Sequence, residues 1–196
     1  LLRLPSSPPP APPSPPAPPS LPAPPAGDTY TFVFDAVRGP GSDGVQLSEV
    51  VLYDVAGGVL GVANASATDA RQVMNRYQQA PNAIDGSMET KWLDGGVSKG
   101  ISTLQLTLHS PAVVGWYEFF TANDVPKRDP VSWTFGVVRD AAACERAEDD
   151  CPLDVLSVVK NAAAPMGRGA SYGRFPNRMP PSPPASPPPS PPPPSP

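Results

Sequence analysis

From Thr29 onward apolar and polar side chains alternate with a period of two. Tyr30, Phe32 and Phe34 fall on one face of an extended segment. Leu104, Leu106 and Leu108 oppose Thr103, Gln105 and Thr107 in a second, and Val131, Trp133, Phe135 and Val137 mark a third. Val45 to Tyr53 and Val113 to Thr121 are largely apolar and read as further strands. Only Thr68 to Tyr77, with Ala70, Val73, Met74 and Tyr77, has roughly helical spacing. Turn chemistry divides the strands at Gly39 to Gly44, Gly57-Gly58, Asp85-Gly86 and Asp94-Gly95-Gly96. Short strands separated by glycine loops predict an all-β domain, a sandwich or jelly roll rather than a βαβ fold, and dinucleotide and P-loop fingerprints are absent.

The pattern stops at both ends. Of 33 prolines, 13 lie within residues 1–26 and 13 within 176–196, and neither 4–27 nor 179–196 holds a charged side chain. We therefore divide the chain into a Pro/Ser/Ala-rich tail at 1–27, a β domain at 28–178 and a Ser-Pro-rich tail at 179–196. Each proline fixes φ and removes a backbone donor, so the tails are expected to form polyproline II rods rather than a core. At about 3.1 Å per residue they would reach roughly 70 and 50 Å. A net charge of −4 without a basic cluster argues against nucleic acid as a partner. No apolar run approaches the roughly 20 residues that cross a bilayer, so membrane insertion is not expected. The proline blocks lack the glycine period of collagen.

A bare semi-rigid linker is the plain reading of such tails. A ligand for an SH3 or WW groove is less suited, because the orienting basic residue occurs only at Arg3 and Arg178, outside the long runs. The repeat from Ser186 to Pro196 (SPPPSPPPPSP) resembles the hydroxyproline-rich, extensin-like glycoproteins of plant and green-algal walls. That resemblance implies hydroxylated, arabinosylated prolines, for which Pro9, Pro10, Pro13, Pro16, Pro19, Pro25, Pro184, Pro188, Pro189, Pro192, Pro193 and Pro194 are the candidates. It also implies sugar on Ser182, Ser186 and Ser190. Covalent glycans would then sheath and stiffen the rods.

Four segments of the middle resemble the galactose-binding-like, discoidin-type jelly roll. They are Val45 to Tyr53, Pro81 to Gly86 leading to Thr90-Lys91-Trp92, Leu104 to Leu108, and Tyr117 through Thr121-Ala122-Asn123-Asp124 to Arg128-Asp129-Pro130-Val131-Ser132-Trp133. The strand carrying Glu49 resembles one that lies last in many members, which implies a permuted form. The resemblance further implies a structural Ca2+ held by Glu49, Asp85 and Thr90, with Ala83 and Ser87 as carbonyl donors. Hard oxygen ligands around a glycine-containing turn suit that ion. The plain alternative is an Asp85 that caps its own turn and a solvated Glu49.

Trp133 alternates with apolar neighbours and Trp92 matches the family's buried tryptophan, so both are expected in the core, whereas Trp116 could face either way. Asn123, Asp124, Arg128 and Asp129 form a polar corner expected to hold a loop through charge-assisted hydrogen bonds. His109, the one histidine, supplies neither a triad nor a zinc site. No nucleophile, base and orienting group can be assembled, and an enzyme is not expected. Cys144 and Cys151 enclose a short acidic loop and most simply form one disulfide, which implies an oxidising compartment. Asn64-Ala65-Ser66 is an N-glycosylation sequon expected in an accessible loop.

Together these features predict an extracellular structural glycoprotein of a matrix, wall or surface filament. Rods at the two chain ends point to head-to-tail self-association, one subunit's rod lying against the next subunit's domain, with Tyr77, Tyr172 and Phe175 as candidate loop aromatics for the contact. The alternative is a lectin-like carbohydrate-binding module displayed on stalks.

Overall fold

The computed structural model describes residues 26–42, 44–67, 77–99, 102–139 and 153–177, and within them the protein is all-β with antiparallel pairing throughout. Residues 1–25 and 178–196 of the tails, the helical spacing at 68–76, Cys144 and Cys151 lie outside the described residues, as do all the proline and serine glycosylation candidates, whereas Asn64 is described.

Strand β1 (Gly27–Val37) is central because it is apolar enough to be covered on its inner face and flanked on both edges. It pairs with β6 (Ser102–Ala112) on one side and β8 (Pro130–Val138) on the other. β4 (Val62–Ser66) adds beyond β6, and β9 (Leu153–Val159) beyond β8, to complete a five-stranded sheet. A three-stranded sheet holds β3 (Glu49–Tyr53), β7 (Trp116–Phe120) and β10 (Ser171–Pro176), with β7 in the middle. β2 (Val45–Leu47) and β5 (Trp92–Asp94) form a separate pair.

The larger two sheets face each other through aromatic rings. Phe32 of β1 meets Tyr117 and Phe119 of β7 edge-on, at centroid distances of 5.1 and 5.0 Å, and stacks on Phe135 of β8 at 4.3 Å. Tyr30, Phe32, Phe34, Leu104, Leu106, Trp133 and Phe135 are fully buried, as their alternation requires. Tyr117 brings its polar atom into a network: its hydroxyl accepts from Trp133 Nε1 (2.9 Å) and lies 3.0 Å from Ser157 Oγ.

Two long apolar runs are shorter strands than their composition implies. Val45 to Tyr53 divides at Ser48, whose N–H donates to Phe120 O (3.0 Å) and whose hydroxyl donates to Thr121 O (3.0 Å), so the chain changes sheets there. In Val113 to Thr121 only Trp116–Phe120 is strand. Gly115 passes so close to the preceding loop that a Cβ would lie 2.7 Å from Asp54 O and from Val55 Cα. β4, β5, β9 and β10 are short or weakly alternating, and the pattern alone does not mark them.

The two ends of the domain sit together. Gly27 pairs with Ala112, and Tyr30 Oη donates to Ala112 O (2.5 Å). Asn177 donates its N–H to Gly115 O (2.9 Å) and its side-chain amide to Val114 O (2.8 Å). Three residue steps of at most about 3.6 Å, with a contact at either end, put the two tail attachments within roughly 20 Å of one another. Both tails therefore attach at one pole of the domain, not at opposite ends. The other pole carries Arg38, the Asp85-Gly86 turn and the segments 121–129 and 165–170.

Candidate functional site

At the far pole β3 begins with Glu49, only 6% exposed. Its Oε2 accepts the N–H of Gly86 (3.0 Å), in the tight turn that follows the 3-10 turn Ala80–Ala83. Gly86 has φ +77, a left-handed conformation that glycine adopts without strain. Asp85 Oδ1 accepts from Ser87 N–H (2.9 Å), so the carboxylate does cap its own turn. Thr90 Oγ1 lies 2.9 and 2.7 Å from the two Asp85 carboxylate oxygens and 3.1 Å from Ser87 O.

One hydroxyl proton cannot satisfy three such oxygens, so the turn gathers more oxygen than hydrogen. Burial pushes the Glu49 carboxyl up to about 7; the Gly86 N–H bond pulls the other way, and the Asp85 charge adds to the rise. The alternative of a solvated Glu49 is thus corrected: its carboxyl is buried. Glu49, Asp85, Ser87 and Thr90 come together as expected. Ala83 is fully buried at the end of the 3-10 turn, two residues before Asp85.

Among the described residues no group of three His, Cys, Asp or Glu side chains could hold a metal ion. A cation at this turn would rest on two carboxylates with a hydroxyl and main-chain oxygens. Two carboxylates, one of them buried, fit a hard divalent ion in charge and donor type.

The same loop is tied to its neighbour. Asn123 Nδ2 donates to Glu89 O (2.8 Å), Lys91 pairs with Asp124, and Gln46 Nε2 donates to Asp124 O (2.8 Å) and Val125 O (3.0 Å). Beside it Asp129 is fully buried. It accepts a bidentate pair from Arg168, at 2.9 and 2.7 Å, and lies 3.2 Å from Arg38 Nη2. Arg168 also donates to Ala122 O (3.2 Å) and Asp124 O (3.1 Å), and Arg38 to Pro165 O (2.6 Å). Asp129 therefore holds the loop as expected. Its partners, Arg38 and Arg168, come from β-strand ends and loops that the local sequence does not connect to it.

Trp92 and Trp133 are fully buried and Trp116 is half-buried on the outer side of β7, so none is an open sugar-stacking platform. Tyr172 and Phe175 are not loop aromatics. Both lie on β10 and pack inward, Phe175 against Trp133 at 5.0 Å and Tyr117 at 5.4 Å, while Tyr172 Oη donates to Pro130 O (3.1 Å). Burial, with the nearby Asp129 charge, pushes the Tyr172 phenol far up. Tyr77 is exposed. Asn64 is exposed too, but on edge strand β4 rather than in a loop. His109 is exposed at the outer part of β6. An open hollow of about 660 Å3 lies at the tail pole between Ala26–Asp28, Pro111, Val137–Arg139 and Asp154, away from these polar clusters.

The chain matches no protein-family model, no curated protein and no solved structure.

Proposed function

We propose that the protein is a secreted structural glycoprotein of an extracellular matrix, cell wall or surface filament. In this reading extensin-like, O-glycosylated polyproline rods act as struts, and a discoidin-type, galactose-binding-like jelly roll acts as the docking module. It is not an enzyme. The observation that carries the reading is the blocking of 25 of the 33 prolines into two charge-free stretches, 4–27 and 179–196, around one β domain. The arms set spacing, their sugars supply hydration and protection from proteases, and the domain supplies recognition. A rod of one subunit lying against the domain of the next gives head-to-tail growth. Ca2+ held by Glu49, Asp85 and Thr90, with carbonyls of Ser87 and Ala83, would supply charge neutralisation at the far pole and pin the turn to β3, without chemistry.

Intact-mass and glycopeptide measurement on native material tests the proposal. Pentose on hydroxyproline within 5–26 and 180–196 is the expected result. A mass near that of the bare 196-residue chain overturns it.

The lectin-like alternative gains from one observation: both tails attach at one pole while the loop clusters crowd the other, an arrangement suited to a head on a stalk. Calcium-dependent glycan binding that is lost in Asp85→Asn would favour it over the structural role.

A further inference from the structure

We infer that the start of the C-terminal arm, Pro180 to Pro183, folds back onto the outer face of the three-stranded sheet of its own chain, so that two arms attached at one pole point opposite ways. The inference rests on the arms being polyproline II rods and does not depend on their sugar.

On that face Trp116, Glu118 and Phe120 of β7 alternate with the inward Tyr117 and Phe119. Trp116 and Phe120 are half-buried rather than covered. Tyr53 of β3 stands across from Trp116 on one side and Pro176 of β10 on the other. Charge beside the rings is already paired. Tyr53 Oη donates to Glu118 Oε2 (2.7 Å), Ser171 Oγ donates to the other carboxylate oxygen, and the Arg174 guanidinium lies 3.8 Å from the Tyr53 ring centre, with its Nε 4.0 Å from Glu118. What remains is a donor, since the indole N–H of Trp116 bonds to nothing among the described residues. Such a face suits an uncharged ligand that offers ring surface and carbonyls but few N–H groups. Polyproline has that chemistry.

The path of the chain identifies the occupant. Asn177, the last described residue, is buried and held by Gly115 O and Val114 O, one step from Trp116. Pro176, the first proline of the C-terminal block, is already the cross-strand neighbour of Trp116. Only Arg178 and Met179 separate this anchor from Pro180. An asparagine in first place and a proline in fourth, which biases Met179 toward an extended conformation, suit a β-turn whose first central residue is helical and whose second is extended. Beyond it, the four residues Pro180 to Pro183 measure about 12 Å as polyproline II, against about 13 Å from Trp116 to Phe120 along β7. Pro180, Pro181 and Pro183 are not among the prolines expected to carry sugar, so ring can meet ring. The N-terminal arm instead enters through Gly27 of β1, on the other sheet. Tethering gives the C-terminal arm an effective concentration in the millimolar range, so a weak contact is enough.

β10 runs toward the tail pole, and a reversal there sends the rod along β7 toward the far pole. An arm of roughly 50 Å outreaches the domain, whose 11-residue strands measure about 36 Å. One subunit then carries a strut at each end.

Acrylamide quenching of tryptophan emission from the full chain tests this, because Trp92 and Trp133 are fully buried and Trp116 is not. Trp116→Phe gives the baseline of the buried pair. Pro180→Gly, Pro181→Gly and Pro183→Gly together leave the β domain untouched, turn the start of the rod into flexible chain and should raise the quenching of Trp116 about two-fold or more. A synthetic peptide of residues 180–196 at several mM, about the concentration that tethering supplies, should restore protection in that variant. Equal quenching of the wild type and the glycine variant overturns the inference. So does protection that appears only at high protein concentration, which would put a second copy's arm on the face, or protection restored equally by a peptide without proline. A protected Trp116 in a chain whose mass shows no pentose supports the inference while overturning the glycoprotein reading.

Discussion

Replacing Glu49 by Gln separates the cost of burying a charge from the benefit of a bound cation. The Glu49 carboxyl is raised from 4.5 to about 7, chiefly by burial. Between those values the folded protein holds a proton that the unfolded chain releases. Stability is therefore full below about pH 4.5 and falls as pH rises through 7. At 1.36 kcal/mol per pKa unit the whole span is worth at most about 3 kcal/mol. Glu49→Gln removes the charge, and its amide oxygen can still accept from Gly86 N–H. In a chelator at pH 8 the variant should be more stable than the wild type by about 1–3 kcal/mol, with a flatter profile between pH 5 and 8. Calcium reverses the order. At an ion concentration 100 times the dissociation constant the wild type gains about 2.7 kcal/mol, and the variant, lacking one carboxylate, gains little. Urea unfolding followed by fluorescence of the buried Trp92 and Trp133 reads both effects. If Glu49→Gln is destabilising in chelator at pH 8, the buried-charge argument fails. Equal stabilisation of both proteins by calcium means the ion binds elsewhere.

Asp129→Ala leaves Arg38 and Arg168 facing a buried gap, and should cost about 3 kcal/mol or more in urea unfolding, with faster proteolysis of the 165–170 segment. No change in stability would mean the arginines find other partners. Gly115→Ala forces a methyl against backbone 2.7 Å away and should lower stability by about 1–3 kcal/mol, read as a drop in thermal midpoint. If the chain is secreted as proposed, Asn64→Gln should remove one N-linked glycan, seen as a mass loss insensitive to further glycosidase treatment, because Asn64 is exposed on β4.

What the chain alone determined is what depends on neighbours a few residues away. Tyr30, Phe32 and Phe34 share a face because successive strand side chains alternate, and the burial of Leu104, Leu106, Leu108, Trp133 and Phe135 follows from the same period. The Asp85-Gly86 turn is legible from its residue types, whereas its Thr90 contact was expected only through the resemblance to the discoidin-type family. Tertiary structure decided whatever joins distant segments. Asp129 meets Arg168 from 39 residues away, and no local pattern distinguishes that arginine from its exposed neighbours. Tyr172 and Phe175 read as loop aromatics because a register shift breaks the alternation of β10, and only the opposing sheet turns both rings inward. The common exit of the two arms is likewise a product of sheet closure: the Ala112–Gly115 segment, far from either terminus, receives both Gly27 and Asn177. Hydrogen-bond periodicity acts along a strand, whereas the pairing of strands and the neutralisation of buried charge act across the core, where sequence distance carries no information.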